Sequence, residues 1–107
     1  DNYDARFVIV TNGPIDEALA KGDFTAASRI AEERIGMSSL KSHGAAHIAS
    51  FLPPPMQDIG TRMHRAASRF AVEAQNAGVT NDLRPALLAK SAVIRECVAC
   101  HAAYRYH

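Results

Sequence analysis

Residues 56–77, MQDIGTRMHRAASRFAVEAQNA, carry the periodicity that decides the fold class. Apolar side chains recur here every three or four residues, at Met56, Ile59, Met63, Ala67, Phe70 and Ala74. This spacing is typical of an amphipathic helix with one buried stripe, whereas a half-buried strand would alternate at every second residue. The triple proline at 53–55 precedes the helix, and Gly78 is predicted to end it.

A long second helix, broken once, is predicted before the triple proline. Asp23 is a favourable N-cap for the stretch FTAASRIAEERIG, whose apolar residues keep helical spacing as far as Gly36. Helix is expected to resume after Ser38 or Ser39 and to continue through Phe51. Gly36 is therefore interpreted as a break inside this helix.

The first helix has an ambiguous beginning. Pro14 at a first-turn position and Gly22 at the end predict a helix over residues 14–21. The preceding stretch ARFVIVTNGP is rich in β-branched residues, so propensity alone would make residues 7–10 a strand. Because a single strand would have no partner in an otherwise helical chain, we interpret these residues as the first part of a kinked helix.

The last helix is predicted to open at Asp82 and Pro85. One broad face of it carries Leu87, Leu88, Ser91, Ile94, Val98 and His101. Four helices joined by short loops predict an all-α fold, an antiparallel up-down-up-down four-helix bundle. A length of 107 residues fits a single domain, so we assign residues 1–107 to one domain.

The composition points to a small carrier of one large cofactor. The chain is 48% hydrophobic but only 7% aromatic and has no Trp, so its core is expected to be poor in large side chains. A bound cofactor would supply the missing apolar volume. The formal net charge of +1 argues against a nucleic-acid surface. No apolar run is long enough to span a bilayer, so we expect no membrane span.

Both cysteines lie in CVACHAAYRYH, residues 97–107. The spacing C-x-x-C-H is the attachment signature of a c-type haem, in which each thiol adds to one vinyl group and the next residue offers its imidazole to the iron. We therefore predict one covalent haem c on Cys97 and Cys100, with His101 as the proximal axial ligand.

Three other uses of two cysteines were weighed against haem attachment. A zinc site would need four ligands, to which His43 and His47 could contribute. A thioredoxin-like motif begins a helix in a strand-rich fold, whereas this one lies near the end of a helical pattern. A disulfide between i and i+3 on a helix has poor bridging geometry. The adjacent histidine favours haem over all three.

The end of the chain resembles a known family. Cys97 to His101 near the end of the last helix, followed by Tyr104 and Arg105, gives the pattern C-x-x-C-H-x-x-Y-R. This pattern is similar to that of the class II cytochromes c, the cytochrome c prime family and its low-spin relatives. The resemblance implies a four-helix bundle and a processed periplasmic chain whose mature start need not be Asp1.

The resemblance also implies a homodimer through the first two helices. Small and β-branched residues that permit close approach are expected at this interface, namely Ala26, Ala27 and Ile30.

In the expected topology the haem end of the last helix lies beside residues 1–11, 43–52 and 56–64. The residues predicted to line or influence the haem are Phe7, Phe51, Met56, Met63 and Arg105. Arg105 would act on the reduction potential through its charge near the proximal imidazole. His64, off the centre of its stripe, is expected to be solvated or bound to a backbone carbonyl.

Two functions follow from these predictions: electron transfer with a periplasmic redox partner protein, and binding of NO or CO at a five-coordinate iron. Neither is an enzyme, and no paired carboxylates or nucleophile and base accompany the motif. In low-spin relatives a methionine of the first helix occupies the sixth coordination position of the iron, but residues 1–11 contain neither Met nor His. We therefore expect an open sixth position, with His47 as the first substitute ligand. Copper binding by His43 and His47 with Met56 and Met63 is a further alternative.

Overall fold

The computed structural model describes residues 5–42 and 53–103, without the side chains of residues 5–11, 41, 42, 101 and 103. Within these residues all regular structure is helical, and there is no strand. The helices are α1 (Ala5–Ala20), α2 (Phe24–Arg34), α3 (Ser39–Ser42), α4 (Pro54–Thr80) and α5 (Arg84–Ala103). The predicted all-α class is confirmed, and the four longer helices are consistent with a four-helix bundle.

Helix α1 is one continuous helix of 16 residues with Pro14 in its interior. The helical interpretation of residues 7–10 is therefore confirmed, whereas the prediction that Pro14 starts a helix is wrong. An interior proline has no N–H to donate to the carbonyl four residues earlier, so this turn lacks one backbone hydrogen bond. The predicted end is correct: Gly22 has a φ of 75°, and the N–H of Asp23 donates to the carbonyl of Ala18 at 2.9 Å.

Helix α2 begins as the sequence predicts. The side chain of Asp23 accepts a hydrogen bond from the backbone N–H of Ala26 at 3.1 Å, which satisfies one of the free donors of the first turn. The helix ends at Arg34, with Ile35 as its C-cap. Gly36 follows outside the helix, and helix begins again at Ser39 as α3, close to the predicted resumption. The predicted continuation from residue 43 through Phe51 lies outside the described residues.

Helix α4 has 27 residues and is therefore about 40 Å long, close to the 42 Å length of the molecule. It begins with Pro54 and Pro55 in its first turn, where a missing N–H costs nothing. The predicted end at Gly78 is wrong, because the helix continues to Thr80 and is capped by Asn81 with a φ of 61°. Asn tolerates this left-handed conformation better than most residues, so no glycine is required.

Helix α5 begins after Asp82, whose carboxylate accepts a hydrogen bond from the N–H of Arg84 at 3.1 Å. Its buried residues are Ala86, Lys90 and Val93. The broad face predicted from the sequence is not the packed face of this helix. Four of its apolar members are exposed, namely Leu87, Leu88, Ile94 and Val98. Apolar residues cover a wide arc of α5, so their periodicity alone does not select the side that faces α4.

The core is built mainly from alanine. Helix α2 packs against α1 and α4, and α4 packs against α5. The described apolar residues buried in the core are alanines except for the larger side chains of Ile15, Leu19, Ile35, Met63, Phe70 and Val93. Four stripe residues of α4 are buried as predicted, namely Met63, Ala67, Phe70 and Ala74. The expectation of a core poor in large side chains is confirmed for the described residues.

The burial of α2 corrects one expectation about association. Ala27 was expected at a dimer surface, but it is fully buried within the protomer. Ala26 and Ile30 are partly buried against the same core. Ala27 therefore packs inside the protomer and cannot contact a second copy.

Across the described ranges, no helix combines the length and the apolar character that crossing a bilayer requires.

Candidate haem attachment site

Cys97 and Cys100 lie in the last turns of α5, one turn apart. Both are free thiols rather than a disulfide, and both are half-buried. Cys97 packs against the edge of the hydrophobic core. Because residues three apart share one side of a helix, both thiols are presented from one side of α5.

The two cysteines extend the packed stripe of α5. Ala86, Lys90 and Val93 precede Cys97 at spacings of four, three and four residues, which keep one side of a helix in register. Contact between α4 and α5 therefore determines the direction in which the motif faces. His101 is the next residue of the same helix after Cys100.

Burial makes both thiols harder to deprotonate. Burial is the main cause that raises the pKa of Cys97, and the charge of Cys100 raises that pKa further, whereas the charge of Lys90 lowers it. Burial also raises the pKa of Cys100. Reactive redox cysteines have the opposite property, a lowered pKa that maintains a thiolate. The local environment therefore does not match a thioredoxin-like dithiol.

Helix α4 approaches the motif at Arg62 and Met63. The guanidinium Nε of Arg62 donates to the carboxylate of Glu96 at 3.0 Å, immediately before Cys97. Met63 is buried and Met56, two turns earlier, is half-buried. The ion pair places the turn of α4 that contains Arg62 and Met63 beside the turn of α5 that precedes Cys97.

Helix α1 contacts the same stripe of α5 at Lys90, two turns before Cys97. The ammonium Nζ of Lys90 lies 2.9 Å from the carboxylate of Asp16. The side chain of Lys90 is only 8% exposed, whereas that of Asp16 is 61% exposed. A cation is therefore held in the interior by a carboxylate that remains largely in water.

Apolar side chains flank the motif on the solvent side. Ile94, one turn before Cys97, is 41% exposed, and Val98, between the two cysteines, is 61% exposed. Two free thiols on one side of a helix, beside uncovered apolar surface, could each form a thioether with a vinyl group of a largely apolar ring. The residues present therefore fit the haem that the motif predicts.

The remaining predicted site residues are described in part or not at all. Phe7 lies within α1 and His101 within α5, and for both the backbone alone is described. His47, Phe51 and Arg105 lie outside the described residues, as does His43. Among the described residues no group of three or more His, Cys, Asp or Glu is placed to hold a metal ion.

Sequence reasoning missed Lys90, Asp16 and Glu96. Each looks like an ordinary surface charge when read along the chain. One signal was available for Lys90, since it precedes Cys97 by seven residues and so lies on the same side of the helix. Its burial and its partner on α1 depend on the packing of the bundle.

Comparison with known proteins finds no matching family model, no matching curated protein and no matching solved structure.

Proposed function

We propose that this chain is a monohaem c-type cytochrome, with haem c joined through thioethers to Cys97 and Cys100 and with His101 as the proximal ligand. The observation that supports this most is the location of the two free, half-buried thiols on the packed stripe of α5, directly before a histidine. A bound haem would supply one-electron exchange between ferric and ferrous iron. The chain would fix its orientation and shield it from water.

We further infer that the helices form an antiparallel up-down-up-down bundle. Arg62 of α4 pairs with Glu96 of α5, and a groove further along is lined by Glu73 of α4 and Pro85 of α5. Lower residue numbers in α4 thus accompany higher numbers in α5. The same trend extended from the Asp16 and Lys90 pair would bring residues 5–9 of α1 beside the motif.

This arrangement supports an iron with an open sixth position. Residues 5–11 of α1 contain neither Met nor His, so that segment offers no side chain of the type that closes the sixth position in low-spin cytochromes. Phe7 is the aromatic residue that this part of α1 supplies, and Met56 and Met63 are the nearest thioethers on α4. Binding of CO or NO is therefore a second candidate function beside electron transfer.

The wider setting belongs to the same proposal. Covalent haem attachment, as in the family that the motif resembles, implies a periplasmic protein that exchanges electrons with a redox partner protein. The core joins α1, α2, α4 and α5 in one cluster, which supports a single haem domain. We propose no enzymatic activity and no nucleic-acid partner. A homodimer through α1 and α2 remains compatible with the proposal only through residues other than Ala27.

Co-expression of the full chain with a bacterial c-type maturation system tests the attachment. Mass spectrometry should find one haem per chain that survives denaturation and solvent extraction. Cys97→Ser and Cys100→Ser should each leave a single thioether, and the double variant should retain none. A wild-type chain that acquires no covalent haem would overturn the proposal.

The axial ligand is tested with His101→Ala in the same system. This variant should still form thioethers but should lose the absorption spectrum of a histidine-ligated haem. Arg65→Ala changes an exposed residue of α4, is the control, and should leave the iron spectrum unchanged. If His101→Ala and the wild type have the same spectrum, the assignment of His101 is wrong.

The ferrous absorption spectrum with and without CO distinguishes the two candidate functions. An open sixth position should give a large spectral change on addition of CO. Six-coordinate bands that CO does not move would favour a dedicated electron carrier. Their loss in His47→Ala would then identify His47 as the sixth ligand.

A further inference from the structure

Lys90 is a charged residue on the buried stripe that carries the cysteines. Its side chain is 8% exposed, and it lies two helical turns before Cys97 on the same side of α5. Buried lysines are rare because removing an ammonium group from water is costly unless a partner compensates. Asp16 of α1 supplies that partner at 2.9 Å.

The two charges of this pair are in different surroundings. Asp16 is 61% exposed, so water and salt screen its carboxylate, whereas Lys90 is surrounded by protein. The field inside the bundle is therefore not that of a neutral pair, because the cation contributes more than the anion. The charge of Lys90 also opposes, to a smaller extent than burial, the rise in the pKa of Cys97.

We propose that Lys90, held by Asp16, raises the reduction potential of a haem attached at Cys97 and Cys100. This inference rests on the proposed haem attachment. Ferric haem carries one more positive charge than ferrous haem, so a nearby cation in a poorly screened interior disfavours the oxidised form. Lys90 is thus a residue that tunes the potential through its field, without contact to the iron.

Equilibrium redox titration of the haem-loaded full chain, followed by absorbance, tests the proposal. Lys90→Met removes the cation and should lower the midpoint potential. Asp16→Asn removes the screened anion and should raise the potential by a smaller amount. Lys90→Arg keeps the charge and should remain close to the wild-type value.

The shifts in midpoint potential expected for Lys90→Met and Asp16→Asn have opposite signs, and this difference separates an effect of the electric field from an effect of altered structure. If the pair only tied α5 to α1, breaking it from either side would loosen the same contact and shift the potential in one direction. Lys21→Met and Glu17→Gln break an exposed ion pair at the C-terminal end of α1, where the two charged groups are 2.8 Å apart. They are the matched controls and should leave the potential unchanged.

The outcomes separate this inference from the proposed function. Absence of covalent haem from the wild-type chain would overturn the proposed function. Covalent haem with equal potentials in all variants, or with shifts of the same sign in Lys90→Met and Asp16→Asn, would overturn the role of Lys90 and leave haem attachment standing. Mass spectrometry of each variant confirms that the titrated haem is covalently bound.

Discussion

The imidazole Nδ1 of His64 lies 2.6 Å from the backbone carbonyl oxygen of Ile35, and this hydrogen bond joins α4 to the C-cap of α2. A carbonyl oxygen can only accept, so Nδ1 carries the hydrogen in this contact. His64 is 2% exposed and Ile35 is 1% exposed, which means that water does not replace either partner. Of the two environments expected for His64, the bond to a carbonyl is correct and solvation is not.

Replacing His64 should therefore destabilise the fold. His64→Phe preserves much of the buried volume but removes the donor, and leaving the Ile35 carbonyl unsatisfied should lower the free energy of unfolding by about 1–3 kcal/mol. Urea denaturation followed by far-UV circular dichroism measures this. Arg65→Ala alters the exposed neighbour and should change stability by less than about 0.5 kcal/mol. Equal stability of His64→Phe and the wild type would show that the bond contributes nothing.

Glu32 should make stability depend on acid pH. Burial would raise the pKa of its carboxyl, but hydrogen bonds from Ser38 and Ser68 outweigh that effect and hold the pKa below its usual value. A lowered pKa gives stability that is fully present above the unfolded-state pKa and is lost as pH falls through the folded-state pKa. The contribution should be below about 1 kcal/mol, since water screens a partly exposed group.

Urea denaturation of Glu32→Gln between pH 7 and pH 3 tests this expectation. The variant should lose stability at pH 7 and should approach the wild type at the acid end of the range. Glu33→Gln changes the next, exposed carboxylate and is the control. A constant difference between wild type and Glu32→Gln at every pH would contradict the linkage.

The buried side of α5 can be tested with two truncations. Val93 is fully buried, so Val93→Ala should lower the free energy of unfolding by about 2 kcal/mol through lost burial and a cavity. Leu87 is 50% exposed, and Leu87→Ala should cost less even though it removes more atoms. If urea denaturation shows a larger loss of stability for Leu87→Ala than for Val93→Ala, the face of α5 predicted from the sequence is the packed one.

The end of α4 can be tested at Gly78 and Asn81. Gly78 is inside the helix, and a methyl group added there would be at ordinary contact distance, 3.7 Å, from Cβ of Phe24. Gly78→Ala should therefore raise stability by about 0.5–1 kcal/mol. Asn81→Ala should lower it, because alanine is strained at a φ of 61°. Thermal unfolding of both variants measures these changes. If Gly78→Ala lowers stability, the helix ends at Gly78, as predicted from the sequence.

Local signals in the sequence predicted most of the secondary structure. Asp23 caps α2 and Asp82 precedes α5, because each acts on groups within a few residues of itself. Helix α4 begins at Pro54, two residues before the predicted start at Met56. The end of α4 was misplaced because both Gly78 and Asn81 can end a helix. Only the structure shows that Gly78 continues the helix and that Asn81 takes the left-handed conformation that ends it.

For the candidate site, the sequence by itself determined which chemical groups are offered: two thiols and an imidazole, at Cys97, Cys100 and His101, lie within five consecutive residues. Only the tertiary structure decided which side of α5 is buried and how the motif is surrounded. Lys90 is buried because α1 provides Asp16 beside it, and Glu96 precedes the motif in an ion pair because α4 provides Arg62. Such partners lie far apart in the chain, and their pairing follows from how the helices pack rather than from any local pattern.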